Sequence, residues 1–199
     1  MKQISLDELS KRSSSVNSMR IHLLGPSGSG TTTLGKNLSN HFKIKHFDTD
    51  DFFWLKTDPP FLDIRPKTER IDLLKITIKQ YDSWVLSGSI LDWGDFLIPE
   101  FNVVIFKYIC QEVRIERLLN REKARHGDRI LPGNDMHQMH TKFISWAKSY
   151  ETGGLDSRSK LSHETWMKRL SCKIIRIEEE LDVKKELEIV INSLTGYIF

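Results

Sequence analysis

One glycine-rich octapeptide constrains the fold of this chain more than any other part of the sequence. It reads Gly25-Pro26-Ser27-Gly28-Ser29-Gly30-Thr31-Thr32. An apolar segment over residues 19–24, predicted to be a strand, precedes it, and a segment with apolar residues every four positions, predicted to be a helix over 32–42, follows it. Glycines give the backbone conformations closed to other residues, so that successive N–H groups can turn toward one point. Because the helix adds its unpaired N–H groups and the positive end of its dipole, this arrangement predicts a cradle for phosphate oxygens.

The octapeptide matches the P-loop pattern G-x-x-x-x-G-K-[ST] at every fixed position except one. Thr32 occupies the position of the hydroxyl that binds magnesium, whereas Thr31 stands where the pattern has lysine. That lysine neutralises charge on the β- and γ-phosphates, so nucleotide binding is better supported here than turnover. The alternative is a glycine-rich turn without a ligand. The residues predicted to bind the nucleotide, ATP or a similar one, are Gly25, Ser27, Gly28, Ser29, Gly30, Thr31 and Thr32.

Strand and helix patterns alternate along the chain, which predicts an α/β fold with a parallel sheet. Strands are predicted over 19–24, 43–47, 83–86, 103–109 and 172–177, and helical stripes lie between and after them. We expect the three-layer α/β/α fold of P-loop NTPases, with a five-stranded parallel sheet and a helical lid at about 121–159. Residues 1–18 are expected to be a flexible extension before a single domain over 19–199.

Two acidic residues follow the second predicted strand, and a serine–glycine turn follows the third. Asp48 and Asp50 are predicted to face the phosphates, because ligands of open parallel sheets bind at the carboxyl ends of the strands. One would serve a magnesium ion together with Thr32, Asp50 being the predicted metal ligand, and one would accept a proton from an acceptor hydroxyl. The alternative is that both acids cap a helix. Ser87 and Gly88 are predicted to contact the acceptor.

Four arginines share one face of the predicted helix over 111–124. They are Arg114, Arg117, Arg121 and Arg125, at spacings of three, four and four. Guanidinium groups bind phosphate in a bidentate manner, so Arg121 and Arg125 are predicted to act on the transferred phosphoryl group. Arg114 and Arg117 are predicted to lie on a solvated face. Arg65 is predicted to bind the anionic group of the acceptor, and Arg70 and Arg158 are further candidates for this role.

Composition limits the partners that we expect. The formal net charge is +3, from 30 basic and 27 acidic residues, which argues against a nucleic-acid binder. No apolar run approaches the roughly 20 residues of a membrane span, and residues 1–18 lack the apolar core of a signal peptide. Cys110 and Cys172 have no metal-ligand spacing and are typical of reduced cytosolic thiols. We expect a cytoplasmic protein without a nucleic-acid or membrane partner, and the oligomeric state stays open.

The loop, the acidic turn and the arginine-rich helix together resemble the nucleoside monophosphate kinase group, which includes adenylate kinase and shikimate kinase. The chain is most similar to small bacterial proteins labelled adenylate-kinase-like or AAA-family ATPases. The resemblance rests on GPSGSGTTTLG at 25–35, FDTDDFFW at 47–54, WVLSGS at 84–89, REKARHGDRILPG at 121–133 and FISWAKSY at 143–150. It implies ATP and Mg²⁺ as cofactors, an acceptor region around residues 50–70 and adenine near residues 178–181.

The sequence therefore predicts an ATP-dependent kinase acting on a nucleoside monophosphate or a small hydroxylated metabolite. Two alternatives stay open. One is a non-catalytic sensor of ATP or GTP, which Thr31 favours, and the other is a nucleotide hydrolase.

Overall fold

The computed structural model describes residues 18–195, so the predicted extension over residues 1–18 lies outside them except for Ser18. The strands of the described residues form one five-stranded parallel sheet. They are β1 (Arg20–Leu24), β2 (Lys45–Asp48), β3 (Trp84–Ser87), β4 (Val103–Lys107) and β5 (Lys173–Ile177), in the spatial order β2-β3-β1-β4-β5. The predicted fold class is confirmed.

Helices separate the strands, as parallel connections require. They are α1 (Thr31–Phe42), α2 (Asp50–Phe53), α3 (Lys67–Ile78), α4 (Gln111–His126), α5 (His137–Lys148), α6 (Lys160–Met167) and α7 (Val183–Leu194). Two 3₁₀ turns, Asp95–Glu100 and Gly127–Ile130, complete the elements. The predicted lid region, 121–159, holds the end of α4, the second 3₁₀ turn and α5. No helix between residues 18 and 195 combines the length and the apolarity that crossing a membrane requires.

Two apolar layers cover the two faces of the sheet. One packs α1 and α7 against the strands through Leu34, Leu38 and Val190, all fully buried. The other packs α3 and α6 through residues such as Leu74 and Trp166. The three central strands, β1, β3 and β4, are buried on both faces, so they are nearly continuous apolar runs rather than alternating ones. The sheet is therefore a rigid platform whose carboxyl edge presents the loops.

The register of the strands brings the predicted site segments to one level. Asp48 pairs with Ser87 across β2 and β3, and Leu23 pairs with the same Ser87 across β3 and β1. The residues that follow these positions begin the acidic turn, the serine–glycine turn and the glycine loop. The sheet thus places three sequence motifs side by side at its carboxyl edge.

A buried histidine in β1 makes the stability of this fold dependent on pH. The His22 ring stacks on Phe101 at 4.9 Å between centroids, and its Nδ1–H donates to the Leu86 carbonyl at 3.0 Å. Its Nε2 has no partner among the described residues. Burial lowers the pKa of His22 from 6.5 to about 4, because no acid compensates for the lost hydration of the charged ring.

We expect the free energy of unfolding to fall as the pH drops from 7 toward 5. In that range the unfolded chain protonates His22 and the folded chain does not, so acid favours unfolding by about 1.4 kcal/mol at pH 5.5 from this group. Urea denaturation at several pH values measures the slope. His22→Gln should reduce the slope of unfolding free energy against pH, whereas His41→Gln, at an exposed position, should leave this slope unchanged. An unchanged slope in His22→Gln would contradict the assignment.

Candidate functional site

The glycine loop leads from the end of β1 into α1, as the sequence predicts. Gly28 and Gly30 have φ values of 85° and 92°, in the left-handed region that side chains disfavour. Gly30 is the N-cap of α1, so the unpaired N–H groups of the first helical turn open directly onto the loop. This geometry fits the cradle for phosphate oxygens that the octapeptide predicts.

Two of the glycines are required because neighbouring backbones approach them closely. A Cβ atom on Gly25 would lie 2.0 Å from the carbonyl oxygen of Lys107, at the end of β4. A Cβ atom on Gly28 would lie 2.7 Å from the carbonyl oxygen of Arg114, in α4. The loop is therefore pressed between β4 and α4 by main-chain contacts that only glycine allows.

Arg114 of α4 stabilises the contact between this helix and the loop. The prediction that Arg114 lies on a solvated face is wrong. The side chain is fully buried and donates to the carbonyl of Ser27 at 3.2 Å and to that of Ala147 at 3.4 Å. It also pairs with Glu151 and lies over the ring of Tyr150. Spacing along a helix shows which residues share a face, but it does not show that this face packs inward at its first turn. Arg114 thus ties the loop to α4 and α5.

The loop borders a cleft with a volume of about 280 Å³. Five of the seven predicted nucleotide-binding residues line it, namely Ser27, Gly28, Gly30, Thr31 and Thr32. The other lining residues are Pro26, Thr33, Asp48, Thr49, Asp50, Gly88, Arg117, Leu118, Arg121 and Arg158. Gly25 instead forms the floor against β4, and Ser29 is fully buried.

The acidic turn meets the loop inside this cleft. The hydroxyl of Thr32 donates to Asp48 Oδ2 at 2.8 Å, and the backbone N–H of Asp50 donates to Asp48 Oδ1 at 3.1 Å. Asp48 thus pairs with the predicted metal-binding hydroxyl, whereas the sequence placed Asp50 in that role. Asp50 is the first residue of the short helix α2, whose N-cap is Thr49. The capping alternative therefore describes Asp48, which accepts from the first helical N–H, and not Asp50.

Asp50 differs electrostatically from its neighbour. Asp50 keeps an exposed surface, but the walls of the cleft partly dehydrate its carboxyl and so raise its pKa. The charge of Asp48 raises the pKa further, while Arg158 and Arg121 act in the opposite direction. A carboxyl with a raised pKa accepts a proton more readily than an ordinary aspartate. Asp48 therefore binds the Thr32 hydroxyl, whereas Asp50 is suited to proton transfer.

The predicted acceptor residues take different places. Gly88 lines the cleft with a φ of 107°, and a Cβ atom there would lie 1.8 Å from the hydroxyl oxygen of Thr49. Ser87 is fully buried and contacts His46 Nε2 at 2.9 Å, below the surface of the cleft. Arg65 donates to the backbone carbonyls of Phe52 and Trp54, which fixes the chain after α2. The structure thus brings Gly88 to the cleft, but it does not bring Ser87 or Arg65 there.

The arginines of α4 also separate. Arg117 and Arg121 line the cleft, and Arg117 is exposed as the sequence predicts. Arg125, one turn beyond Arg121, lies outside the cleft over the ring of Phe61 at 4.9 Å. Arg117 also pairs with Glu180 at 2.8 Å, within the segment where the family resemblance places adenine.

Sequence reasoning missed two features of this site. Lys107, at the end of β4, forms a buried ion pair with Glu186 of α7, and both side chains are almost fully enclosed. Arg158 was a weak candidate, yet it lines the cleft and donates to the carbonyl of Gly25 at 2.8 Å. The available signals were a lysine that ends an apolar strand and an arginine just before the serine that starts a helix. Neither pattern is specific.

A chain of hydrogen bonds supports the wall of the cleft behind Gly88. Ser89 Oγ lies 3.2 Å from His163 Nε2, and the hydroxyl of Tyr150 lies 2.8 Å from His163 Nδ1. Burial lowers the pKa of His163 well below its ordinary value and raises that of Tyr150, so both stay neutral near pH 7. These hydrogen bonds join the turn after β3 to α6 and to the segment that follows α5.

Solved structures identify the class of fold. A shikimate kinase from Acinetobacter baumannii, in complex with shikimate, has a TM-score of 0.52 and 15% sequence identity, over 94% of this chain and 97% of that one. A gluconokinase from Sinorhizobium meliloti 1021 has a TM-score of 0.51 and 13% identity, over 90% of this chain and 93% of that one. Together with the sheet order and the glycine loop, these likenesses show a P-loop kinase fold.

The family follows from a closer likeness in sequence. This chain belongs to the family of the uncharacterized protein YqaC of Bacillus subtilis (strain 168), with 38% identity over 176 residues, 88% of this chain and 97% of that protein. No protein-family model matches the chain.

Two glycines with similar φ angles, Gly28 and Gly133, allow the backbone contact to be tested. Gly28→Ala adds left-handed strain of about 1 to 2 kcal/mol and overpacking of about 1 to 3 kcal/mol against Arg114. Gly133→Ala adds only the strain, because Gly133 has a φ of 88° with no atom within 4 Å of its Cβ position. We therefore expect a clearly larger loss of unfolding free energy in Gly28→Ala, measured by urea denaturation. Equal losses would show that α4 does not press on the loop.

Proposed function

We propose that this protein is a kinase that transfers the terminal phosphoryl group of ATP to a small-molecule acceptor. The acceptor is a nucleoside monophosphate, as in adenylate-kinase-like enzymes, or a small hydroxylated metabolite. One observation carries the proposal: the Thr32 hydroxyl and the carboxylates of Asp48 and Asp50 meet beside the glycine loop in a single cleft.

The cleft fits the phosphates of a nucleotide. The left-handed glycines and the open first turn of α1 supply N–H donors, and Arg117, Arg121 and Arg158 add positive charge. Thr32 and Asp48 are oxygen donors of the kind that hold magnesium together with substrate phosphates. When bound there, magnesium would neutralise charge on the phosphates.

Asp50 would act as the general base. Its carboxylate would take the proton of the acceptor hydroxyl as the oxygen of that hydroxyl attacks the terminal phosphorus and the bond to the leaving ADP breaks. The raised pKa of Asp50 suits this role. Arg121, exposed over about half of its side chain, can approach the equatorial oxygens, whose charge needs stabilisation during transfer. Arg125, one turn farther along α4, would reach these oxygens only if its end of the helix moved toward the loop.

The kinase names of the two solved structures support phosphoryl transfer to a small molecule. Thr31 favours a second candidate, a nucleotide sensor without turnover, because the loop lacks the lysine that acts on the transferred group. The convergence of Asp50, Asp48 and the arginines on one cleft supports the kinase instead.

The first test combines binding and turnover. Thermal shifts with ATP, GTP and their magnesium complexes identify the nucleotide, and monophosphates and hydroxylated metabolites are then added as acceptors. The proposal expects ADP to form only when an acceptor is present. Tight ATP binding without ADP formation across the panel would favour the sensor, and release of phosphate without any acceptor would favour the hydrolase.

Asp50→Asn should lower the rate of phosphoryl transfer by about 100-fold or more and change ATP affinity little, since it removes the base and keeps the shape. In the unaltered protein, the rate should fall as the pH drops through the pKa of Asp50, above the ordinary value of 3.8, because only the ionised carboxylate accepts a proton. ADP formation at several pH values measures both effects.

Asp51→Asn is the matched control, because Asp51 is an exposed acid of the same helix outside the cleft lining. Its rate should stay within about twofold of the unaltered protein. Full activity in Asp50→Asn would remove Asp50 from the mechanism.

A further inference from the structure

In the proposed function, the glycine loop binds phosphate without the lysine of its motif. The positive charge that this lysine would supply must therefore come from another side chain. Main-chain N–H groups carry only partial charges, whereas the terminal phosphates of ATP carry several full ones. We propose that Arg158 takes the place of that lysine and binds the β- and γ-phosphates. The inference rests on the proposed function, because it requires a nucleotide in the cleft.

Arg158 touches the loop and faces the cleft at the same time. Its Nη2 donates to the carbonyl of Gly25, the first residue of the loop, at 2.8 Å. The side chain also lines the cleft together with Thr31 and Thr32. A guanidinium held at the start of the loop thus borders the same space as the side chain at the lysine position.

The backbone that carries Arg158 is firmly held. Ser159 follows directly and is the N-cap of α6, with a reciprocal capping box. The Ser159 hydroxyl accepts from the N–H of Ser162 at 3.0 Å, and the Ser162 hydroxyl accepts from the N–H of Ser159 at 2.9 Å. Because both serines are buried, the guanidinium extends from a fixed point.

Arg158 keeps hydrogen-bonding capacity for a ligand. A guanidinium has five N–H donors, and the Gly25 carbonyl takes one of them. Nε is shielded from solvent and has no hydrogen-bond partner among the described residues, so the donors open to a ligand are those of the terminal nitrogens. Burial lowers the pKa of Arg158 from its ordinary value, and the charges of Asp50 and Asp48 act in the opposite direction. The guanidinium stays charged, because its ordinary pKa is far above neutral. The side chain is therefore a cation with donors available toward an anion.

The other cations near the loop are less suited to this task. Lys107 Nζ lies 3.5 Å from the Cβ position of Gly30, but Glu186 neutralises it in a buried pair, and it does not line the cleft. Arg117 lines the cleft and pairs with Glu180. Among the cations of residues 18–195, Arg158 combines the bond to the loop with the open face toward the cleft.

The test compares nucleotides that differ in phosphate number. Calorimetric titrations in the presence of Mg²⁺ use three ligands in turn, namely the imido analogue of ATP, unmodified ADP and unmodified AMP. They give three affinities for each variant. Arg158→Gln should weaken binding of the ATP analogue by about 10- to 100-fold, the size expected for lost hydrogen bonds to a charged group, and that of AMP by less than about threefold. In that background, Thr31→Lys should restore at least about tenfold, because it returns the cation from the other side of the site.

Arg169→Gln is the matched control, because Arg169 pairs with Asp95 on the exposed surface. It should leave all three affinities within about twofold. An ATP analogue bound as tightly by Arg158→Gln as by the unaltered protein would overturn the inference and leave the kinase proposal intact. No affinity of the unaltered protein for any nucleotide would overturn both.

A measurement on the unaltered protein covers the case in which Arg158→Gln fails to fold. Phenylglyoxal modifies accessible guanidinium groups, and mass spectrometry locates the modified residues. The ATP analogue should protect Arg158 at least about tenfold better than AMP does, in line with the expected difference in affinity. Equal reactivity of Arg158 with saturating ATP analogue and with AMP would count against the inference.

Discussion

The whole site depends on the glycine loop lying with its main chain directly against two other backbones. Gly25 faces the carbonyl at the end of β4, and Gly28 faces a carbonyl in α4. The loop cannot shift toward these neighbours, because protein interiors are densely packed. Backbone carbonyl oxygens also cannot move aside as the end of a flexible side chain can. The path of the loop backbone follows from these contacts and not from the side chain at position 31. The loop can therefore lose its lysine and keep its shape.

Cations near the loop fall into two groups with different tasks. Arg114 and Lys107 are buried, pair with Glu151 and Glu186, and contact the loop from its outer side. Removing either acid would leave an uncompensated buried charge, which is far more costly than losing an exposed pair. The second group is Arg117, Arg121 and Arg158, which face the cleft. The first group fixes the shape of the loop, and the second determines the charge that a ligand meets.

Most of the fold could be predicted from local pattern, because buried parallel strands and amphipathic helices have distinct periodicities. The boundaries were less accurate: β2 runs over Lys45–Asp48 rather than 43–47, since Lys43 has positive φ and ends α1. The short helix α6 was missed, because its eight residues are too few to give a clear stripe. In the site, the loop and the acidic turn were found from their spacing. Arg114 and Lys107 were not, because their roles depend on which backbone packs beside them, and a single sequence does not record this.

The order of the strands has a consequence for how such a protein can diversify. The phosphate loop follows β1 and is braced by β4, whereas Asp50 and Gly88, which would meet the acceptor, follow β2 and β3 on the other half of the sheet. Insertions or exchanges in the two segments after β2 and β3 would remodel one half of the cleft and leave the contacts of Gly25 and Gly28 untouched. A lineage built on this scaffold can thus acquire new acceptors by altering peripheral segments, while its way of holding a nucleotide is inherited unchanged.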